Sequence, residues 1–341
     1  MKIVTYERQS WLGKNQRLGI MFNESTIIDV NFTWQSFFEQ KDIHTAQKKS
    51  LNLAPPSLYE TLLLQDHPIE FFQQTLHHFE NLTRQGILKT TQSADLSFDL
   101  RDDRSSKLKC PLDKVNSFRD FYTFEAHVKK GFEKRQESVP QEWYEFPAYY
   151  KSLTQNMMGN DDPIPWPSFT KKLDYELELG AVVCKTGKNL KGKAALKHLL
   201  GFTIINDVSA RDLQKKEMKI RLGPSKSKDF CTIVGPVITT LDEFNFESPD
   251  LLMTTKINDN IWSQGRSSQM HYDWSEILEF LTWDEFILPG DLLGSGTVGT
   301  GCGLELDRWI KPSDIVECEI EHIGRLKNIV SIPQHDLNKE D

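Results

Sequence analysis

Residues 173–179, with the sequence LDYELEL, alternate apolar and acidic side chains, and this stretch decides how the fold is interpreted. A period of two is typical of a β-strand, in which successive side chains point to opposite faces. Asp174, Glu176 and Glu178 therefore share one face of the predicted strand. If that face lines a cleft, mutual repulsion raises the carboxyl pKa values unless a cation neutralises them, and hard oxygen ligands suit Mg²⁺, Mn²⁺ or Ca²⁺. A half-buried strand with a solvated acidic face has the same alternation, so both interpretations stay open.

Another carboxylate follows the next apolar run of the chain. Residues 201–205 are predicted to form a buried strand that ends close to Asp207, and a helix with a serine capping pattern is predicted over residues 209–218. Arg211 and Gln214 lie three residues apart on this helix and so share a face. They offer a guanidinium and an amide to a bound carboxylate or carbonyl. The alternative is that Asp207 is a turn residue and Arg211 a surface charge.

A third cluster lies upstream of the acidic strand. Asp120, Tyr122 and His127 are close in sequence, and a basic loop containing Gly131 and the aromatic stretch 143–150 follow them. This combination is typical of a pocket wall with a mobile cover. A single histidine is more often structural, so the cluster alone does not establish a catalytic role.

Two further segments have compositions that are typical of ligand contact. Lys228 precedes the predicted strand 230–238, and residues 295–305 are rich in glycine. Glycines allow the backbone to approach a ligand closely, although loop flexibility explains them equally well. The segment lacks the Gly-Lys-Ser/Thr ending of a phosphate-binding loop.

Composition limits the class of protein. The 341 residues are 38% hydrophobic and 26% charged, which is typical of a globular protein, and the net charge of −8 argues against nucleic-acid binding. The apolar runs are far shorter than the ~20 residues of a membrane-spanning helix, and no signal peptide is evident, so we expect a soluble, cytoplasmic protein. Five widely spaced cysteines without a Cys-x-x-Cys pair predict reduced, mostly structural thiols.

The polar and charged segment around residue 105 predicts a domain boundary. Residues 1–105 are expected to form a small N-terminal domain and linker, with strands at 1–6 and 17–30 and helices between residues 33 and 85. Residues 106–335 are expected to form a β-rich catalytic domain with a second helix over Trp274–Leu281.

Four motifs in this order closely resemble the fumarylacetoacetate hydrolase family. They are DYELE at 174–178, NDVSARD at 206–212, KDF at 228–230 and SGT at 295–297. The resemblance extends from about residue 110 to 332, and the opening β-hairpin resembles the small N-terminal domain of longer members. It implies a β-rich α+β fold, in which a mixed β-sheet roll surrounds the site and a small β-containing domain precedes it. It also implies a homodimer.

The resemblance also assigns roles to individual residues. The implied cofactor is a divalent metal, Mg²⁺, Mn²⁺ or Ca²⁺, and the implied ligands are all carboxylates: Asp120, Glu176, Glu178 and Asp207. The implied catalytic residues are His127, Glu305 as the group that orients it, Lys228, Gln214 and Arg211. The implied substrate contacts are Tyr122, Tyr150, Arg135 and Thr297.

The activity implied by the family is hydrolysis of a carbon–carbon bond in an acylpyruvate or fumarylacetoacetate-type keto acid, as in aromatic amino-acid catabolism. The same metal site resembles those of 2-hydroxyhepta-2,4-dienedioate isomerases, 2-oxopent-4-enoate hydratases and oxaloacetate decarboxylases, and fold does not choose among them. His127 and Glu305 favour hydrolysis, because decarboxylation needs chiefly an electron sink. A non-catalytic, Ca²⁺-stabilised structural protein is the alternative outside enzymes, but a metal clip would not need a histidine, a lysine and an arginine around it.

Overall fold

The computed structural model describes residues 1–10, 13–24, 26–86, 97–99 and 107–333. The predicted domain boundary near residue 105 lies outside these residues, and the division into 1–105 and 106–335 stays a prediction. Within the described part of the chain, no helix is both long and apolar enough to span a membrane.

The described part of the chain forms 18 strands, nine α-helices and four short 3₁₀-helices. The strands are β1 (Lys2–Ser10), β2 (Gly13–Met21), β3 (Thr26–Asp29), β4 (Ser97–Asp99), β5 (Lys107–Leu108), β6 (Phe118–Phe121), β7 (Tyr149–Ser152), β8 (Met157–Met158), β9 (Leu173–Asp174), β10 (Leu177–Val183), β11 (Leu199–Asp207), β12 (Ser209–Ala210), β13 (Thr232–Thr240), β14 (Leu252–Ile257), β15 (Asn260–Arg266), β16 (Leu292–Gly294), β17 (Ile315–Ile320) and β18 (Gly324–Ile329). The α-helices are α1 (Val30–Glu39), α2 (Ile43–Leu53), α3 (Leu58–Leu64), α4 (Pro68–Arg84), α5 (Glu125–Glu133), α6 (Arg211–Ile220), α7 (Lys226–Asp229), α8 (Trp274–Leu281) and α9 (Gly303–Leu306). Short 3₁₀-helices lie at Gln141–Tyr144, Gly192–His198, Leu241–Phe244 and Ser267–Gln269.

A large mixed sheet organises the molecule. Among the described residues it has 12 strands, with the main order β4-β3-β2-β1-β13-β11-β10-β16-β6-β7. The pairs β16–β6 and β8–β13 are parallel, and the other pairs in this sheet are antiparallel. The N-terminal hairpin belongs to the same sheet as the central strands, because Lys2 of β1 pairs with Thr239 of β13. The predicted α+β class with a mixed sheet is confirmed.

The two faces of this sheet are covered differently. On one face, Trp34 of α1 and Phe72 of α4 belong to a core cluster with Ile20 of β2 and Leu292 of β16. On the other face, a second sheet of order β15-β14-β17-β18 contributes to a separate cluster. Because both faces are covered, β11 is buried along its whole length and has a continuous apolar run instead of alternation.

The two helices predicted in the catalytic part are present, but one begins differently. The helix Trp274–Leu281 is confirmed, and Asp273 caps it by accepting from the N–H groups of Ser275 and Glu276. The other helix begins at Arg211, and its predicted serine cap is wrong. Ser209 lies in β12 and its hydroxyl donates to the carbonyl of Asp207, so it cannot cap the helix.

Candidate metal centre and active site

Three carboxylates from neighbouring strands meet at one place in the large sheet. Asp120 lies in β6, Glu178 in β10 and Asp207 at the end of β11. Because the strand order is β11-β10-β16-β6, strands that are far apart in sequence bring these side chains together. One potential ligand atom from each residue lies within 4.8 Å of those of the others.

Gly294 of β16 makes this approach possible. It pairs with Gly180 of β10 on one side and with Asp120 of β6 on the other. A Cβ atom at this position would overlap Asp120 Oδ1 and would lie 2.7 Å from Glu178 Oε2. The carboxylates therefore occupy the space that a side chain would need.

The clustered carboxylates have buried oxygen atoms that the described part of the protein does not pair. Asp120 Oδ1, Glu178 Oε2 and Asp207 Oδ1 are buried and have no hydrogen-bond partner among the described residues. Burial and then the charge of Asp207 raise the pKa of Asp120 well above its ordinary value. Burial and then the charge of Asp120 do the same to the pKa of Glu178, and burial raises the pKa of Asp207. An all-oxygen set with unpartnered atoms fits a hard divalent cation.

Glu176 lies close by but has a different environment. Its Oε1 is 2.6 Å from Arg211 Nη2, and its Oε2 is 2.5 Å from Lys228 Nζ. Lys228 also pairs with Asp207, so it connects Glu176 to the carboxylate cluster. Although burial acts in the opposite direction, the charges of Lys228 and Arg211 lower the pKa of Glu176. The role of Glu176 as a metal ligand stays a prediction, because the protein's own cations occupy both of its oxygens here.

Asp174 holds Arg211 in place, a role that the sequence analysis did not assign. Its Oδ2 accepts from Arg211 Nε at 2.8 Å, and its oxygens also accept from the N–H groups of Gly303 and Leu304. Arg211 Nη1 in turn donates to Gln214 Oε1 at 2.9 Å, as their spacing on one helix face suggests. Asp174 is the first acid of the alternating stretch 173–179. This position, on the same face as Glu176 and Glu178, was the sequence signal that could have assigned it to the site.

His127 of α5 and Glu305 of α9 form a buried pair. His127 Nδ1 is 2.7 Å from Glu305 Oε1, and Glu305 Oε2 accepts from the backbone N–H of Thr300 at 3.0 Å. A proton on Nδ1 donates to this carboxylate, which leaves Nε2 as the free acceptor of the ring. The Tyr122 ring lies edge-on to the imidazole, with 5.3 Å between centroids. Cys302 also contacts this pair, and burial raises the pKa of its thiol well above the ordinary value.

The residues predicted as substrate contacts lie at different distances from the centre. Tyr150 donates its hydroxyl hydrogen bond to Asp207 Oδ2 at 2.6 Å, and the Thr297 hydroxyl lies 3.4 Å from Glu178 Oε1. Arg135 is 40% exposed and pairs with Glu137, and its guanidinium borders Gly131 beside the Tyr122 hydroxyl. The substrate roles of these residues stay predictions.

The fold and the site together define an α+β protein whose mixed sheet brings together buried carboxylates from β6, β10 and β11. Residues 116–331 match the family described as "Fumarylacetoacetate (FAA) hydrolase C-terminal". The chain belongs to the fumarylacetoacetate hydrolase family, which confirms the resemblance.

Three similar proteins illustrate the range of the family. An uncharacterised protein of Methanocaldococcus jannaschii is 36% identical over 187 residues, which cover 54% of this chain and 73% of that protein. The mitochondrial oxaloacetate tautomerase of Xenopus laevis is 30% identical over 193 residues, 56% of this chain and 59% of that protein. The matched segment thus spans less than two thirds of the frog protein. The structure of a fumarylacetoacetate hydrolase from psychrophilic Exiguobacterium antarcticum has a TM-score of 0.68 at 23% identity, covers 97% of this chain and 99% of that one, and shows the shared fold.

Proposed function

We propose that this chain is a divalent-metal-dependent hydrolase that cleaves a carbon–carbon bond of an acylpyruvate or fumarylacetoacetate-type 1,3-diketo acid. The observation that supports this most is the His127–Glu305 pair, with 2.7 Å between Nδ1 and Oε1. Cys302, which contacts this pair, forms a β-bridge with Glu176 beside the buried carboxylates. Hydrolysis requires an activated water, and a histidine oriented by a carboxylate is a suitable general base.

In the proposed reaction, His127 accepts a proton from water at Nε2. Glu305 holds the Nδ1 proton, keeps the ring in this tautomer and stabilises the imidazolium that forms. The water then attacks the carbonyl whose bond is cleaved. The protonated His127 can return its proton to the departing carbon, so the base ends in its original state.

The cationic and amide groups bind substrate and developing negative charge. Arg211 is fixed by Asp174 and Glu176, so its remaining N–H capacity is oriented for a substrate carboxylate. Gln214 uses its Oε1 to accept from Arg211, which leaves its amide N–H groups to donate to an oxyanion. Lys228 supplies a positive charge in a buried site, where preorganised donors are most effective.

The proposed metal would be held by Asp120, Glu178 and Asp207. The family resemblance implies Glu176 as a fourth ligand, whereas its pairing with Arg211 and Lys228 favours a position outside the ligand shell. A cation bound there supplies Lewis-acid polarisation of a carbonyl oxygen. All-carboxylate ligands accept Mg²⁺, Mn²⁺ or Ca²⁺. The proposal also includes a small keto acid as substrate and a homodimer, both of which rest on the family resemblance. It includes a cytoplasmic location, which rests on composition. Sedimentation at micromolar concentration tests the dimer.

A second candidate is a keto–enol tautomerase, and it is favoured by the oxaloacetate tautomerase among the relatives. Tautomerisation moves a proton between carbon and oxygen and needs no attacking water. His127 would then act directly on the substrate. Decarboxylation of oxaloacetate would need neither a water-activating base nor Glu305.

The experiment compares wild type, His127→Ala and the control His322→Ala on acylpyruvates, fumarylacetoacetate, oxaloacetate and a 2-hydroxydienedioate with Mg²⁺ or Mn²⁺. His322 is a suitable control because its side chain is 68% exposed. We expect acylpyruvate hydrolysis, a loss of about 10²- to 10⁴-fold in turnover for His127→Ala and unchanged metal affinity. Loss of enol absorbance and mass analysis of products report the reaction. Turnover of oxaloacetate alone, at a rate that His127→Ala retains, would replace the hydrolase with a decarboxylase.

A further inference from the structure

We propose that His127, Cys302 and Glu305 form a second metal site, which binds a thiophilic divalent cation such as Zn²⁺ or Cd²⁺ and thereby inhibits the enzyme. The three residues offer nitrogen, sulfur and oxygen ligands whose atoms lie within 4.8 Å of one another. Binding at this site is independent of the reaction catalysed, whereas the inhibition rests on the proposed hydrolase function.

The ligand atoms are already close to tetrahedral spacing. Cys302 Sγ lies 3.9 Å from His127 Nδ1 and 3.6 Å from Glu305 Oε1, and Nδ1 and Oε1 are 2.7 Å apart. Metal–ligand bonds of about 2.0–2.3 Å place the ligands of a tetrahedral Zn²⁺ about 3.3–3.7 Å apart. Only the Nδ1–Oε1 distance has to increase appreciably, by about 0.6 Å or slightly more, and the ion then replaces the hydrogen bond between them.

Secondary structure holds each ligand in place. The backbone of Cys302 pairs with that of Glu176 in an isolated β-bridge, immediately before α9. Glu305 follows three residues later in α9, whose first N–H groups are bound by Asp174, and His127 comes from α5. The site therefore needs a small side-chain adjustment and no rearrangement of the chain.

The chemistry of the ligands separates this site from the carboxylate cluster. Sulfur and imidazole favour Zn²⁺ and Cd²⁺, whereas oxygen-only ligands favour Mg²⁺, Ca²⁺ or Mn²⁺. Cys302 loses its thiol proton to solvent when it binds as a thiolate, and Glu305 binds as a carboxylate. With a neutral imidazole, these two negative charges cancel those of the divalent ion, so no net charge is buried. The fourth position remains for water.

Metal binding here removes the arrangement that the proposed hydrolysis needs. In the free site Glu305 orients His127 through Nδ1. When Nδ1 binds the ion, the proton of the neutral imidazole lies on Nε2, so the acceptor that the proposed base uses is lost. With Oε1 on the ion as well, Glu305 no longer orients the ring or stabilises a protonated form of it. We therefore expect Zn²⁺ to inhibit in the presence of saturating Mg²⁺, which occupies the other site.

The test titrates full-length protein with Cd²⁺ in excess Mg²⁺ and follows the ultraviolet thiolate-to-cadmium charge-transfer band. Cys302→Ser removes the sulfur ligand, and Cys318→Ser is the matched control, because Cys318 is equally buried but lies in β17 of the second sheet. Wild type and Cys318→Ser should bind one equivalent with the band. Cys302→Ser should lose the band and bind Cd²⁺ at least about 100-fold more weakly, since deletion of a ligand exceeds the usual effect of outer-shell changes.

Enzymatic rates with and without Zn²⁺ give the second measurement. The rate with Zn²⁺ divided by the rate without it should fall well below one in wild type and Cys318→Ser. In Cys302→Ser this ratio should stay near one. If Cys302→Ser does not fold, His127→Ala keeps every thiol and must still weaken Cd²⁺ binding by about 10-fold or more. No band in wild type, or a band that survives in Cys302→Ser, overturns the site even if His127-dependent hydrolysis is found. A band that depends on Cys302 without any acylpyruvate turnover supports the site and rejects only the hydrolase function.

Discussion

Glu176 and Glu178 are two residues apart, both are buried, and their surroundings are opposite. Both oxygens of Glu176 pair with cations of the protein, Arg211 and Lys228. The Thr297 hydroxyl lies 3.4 Å from one oxygen of Glu178, and the other oxygen of Glu178 has no partner in the described part of the chain. Accordingly the pKa of Glu176 is lowered and that of Glu178 is raised. The site thus has two halves. One is Glu176, which the protein neutralises with Arg211 and Lys228, and the other is the group Asp120, Glu178 and Asp207, whose unpartnered oxygens fit a hard divalent cation.

The largest expected effect comes from removing the cation that joins the two halves. Lys228→Met leaves Asp207 without a cationic partner, and breaking a buried pair in this way typically costs about 3–5 kcal/mol of unfolding free energy. The matched control is Lys256→Met, since Lys256 also pairs with two glutamates but is partly exposed on the second sheet. We expect about 0–1 kcal/mol there. Urea unfolding at neutral pH measures both, and equal losses would show that burial of Lys228 does not matter.

The next prediction concerns metal affinity. Glu178→Gln should weaken Mg²⁺ binding by more than about 100-fold, because it removes a ligand with a free oxygen, whereas Glu176→Gln should cost about 10-fold, as an outer-shell change does. Calorimetry on the two variants measures the difference, with thermal unfolding to confirm that each is folded. Equal losses would mean that Glu176 leaves its cations and binds the metal as the family resemblance implies.

The pH dependence of stability should distinguish the two halves without any metal. The raised pKa values of Asp120 and Glu178 mean that their protonated forms favour the folded state. This contribution is complete below the ordinary carboxyl pKa of about 4 and is lost as the pH rises toward the folded-state values. Glu176 acts in the opposite direction, because its lowered pKa gives stability that is lost as the pH falls through that value.

Thermal unfolding in a chelator and in Mg²⁺ tests this behaviour. The stabilisation by Mg²⁺ should increase with pH and reach about 2.7 kcal/mol at a free concentration of 100 times Kd. In Glu178→Gln, the unfolding temperature in chelator should fall less steeply above pH 4 than in wild type. A wild-type curve as shallow as that of the variant would contradict the idea that unneutralised carboxylates destabilise the metal-free protein.

The alternating stretch LDYELEL at residues 173–179 shows what the sequence could predict about this site. Alternation correctly grouped Asp174, Glu176 and Glu178, because side-chain direction in extended backbone depends only on position. Alternation did not predict that the strand is interrupted between Leu173–Asp174 and Leu177–Val183. The interruption arises because the first piece pairs with β12 and the second with β11, and such pairing depends on distant segments of the chain. Nor could alternation exclude a solvated acidic face, which the 1% exposure of Glu178 now contradicts.

Contacts between distant segments were beyond the sequence pattern. Lys228 reaches Glu176 across 52 positions of the chain, and local spacing contains no information about such a contact. The helix α9 that presents Glu305 was also missed, because its glycine-rich surroundings predict a loop. The assignments of Glu305 and Lys228 came from the family resemblance, which carries information on tertiary neighbours that periodicity does not contain.

The smallest effect is expected from a hydroxyl at the boundary between the two halves. Tyr150 donates to Asp207 Oδ2 at 2.6 Å, the same oxygen that Lys228 binds. Tyr150→Phe removes this donor but leaves the lysine, so we expect about 1.5 kcal/mol or less of unfolding free energy, the lower end for hydrogen bonds to charged groups. Tyr144→Phe is the control, because that hydroxyl donates to the more exposed Glu125 at 2.7 Å and water can replace it. Urea unfolding should rank Lys228→Met above Tyr150→Phe and Tyr150→Phe above Tyr144→Phe. A Tyr150→Phe loss as large as that of Lys228→Met would mean that the hydroxyl, and not the lysine, holds Asp207. Of the carboxylates in the site, the cations of the protein would then neutralise Glu176 alone.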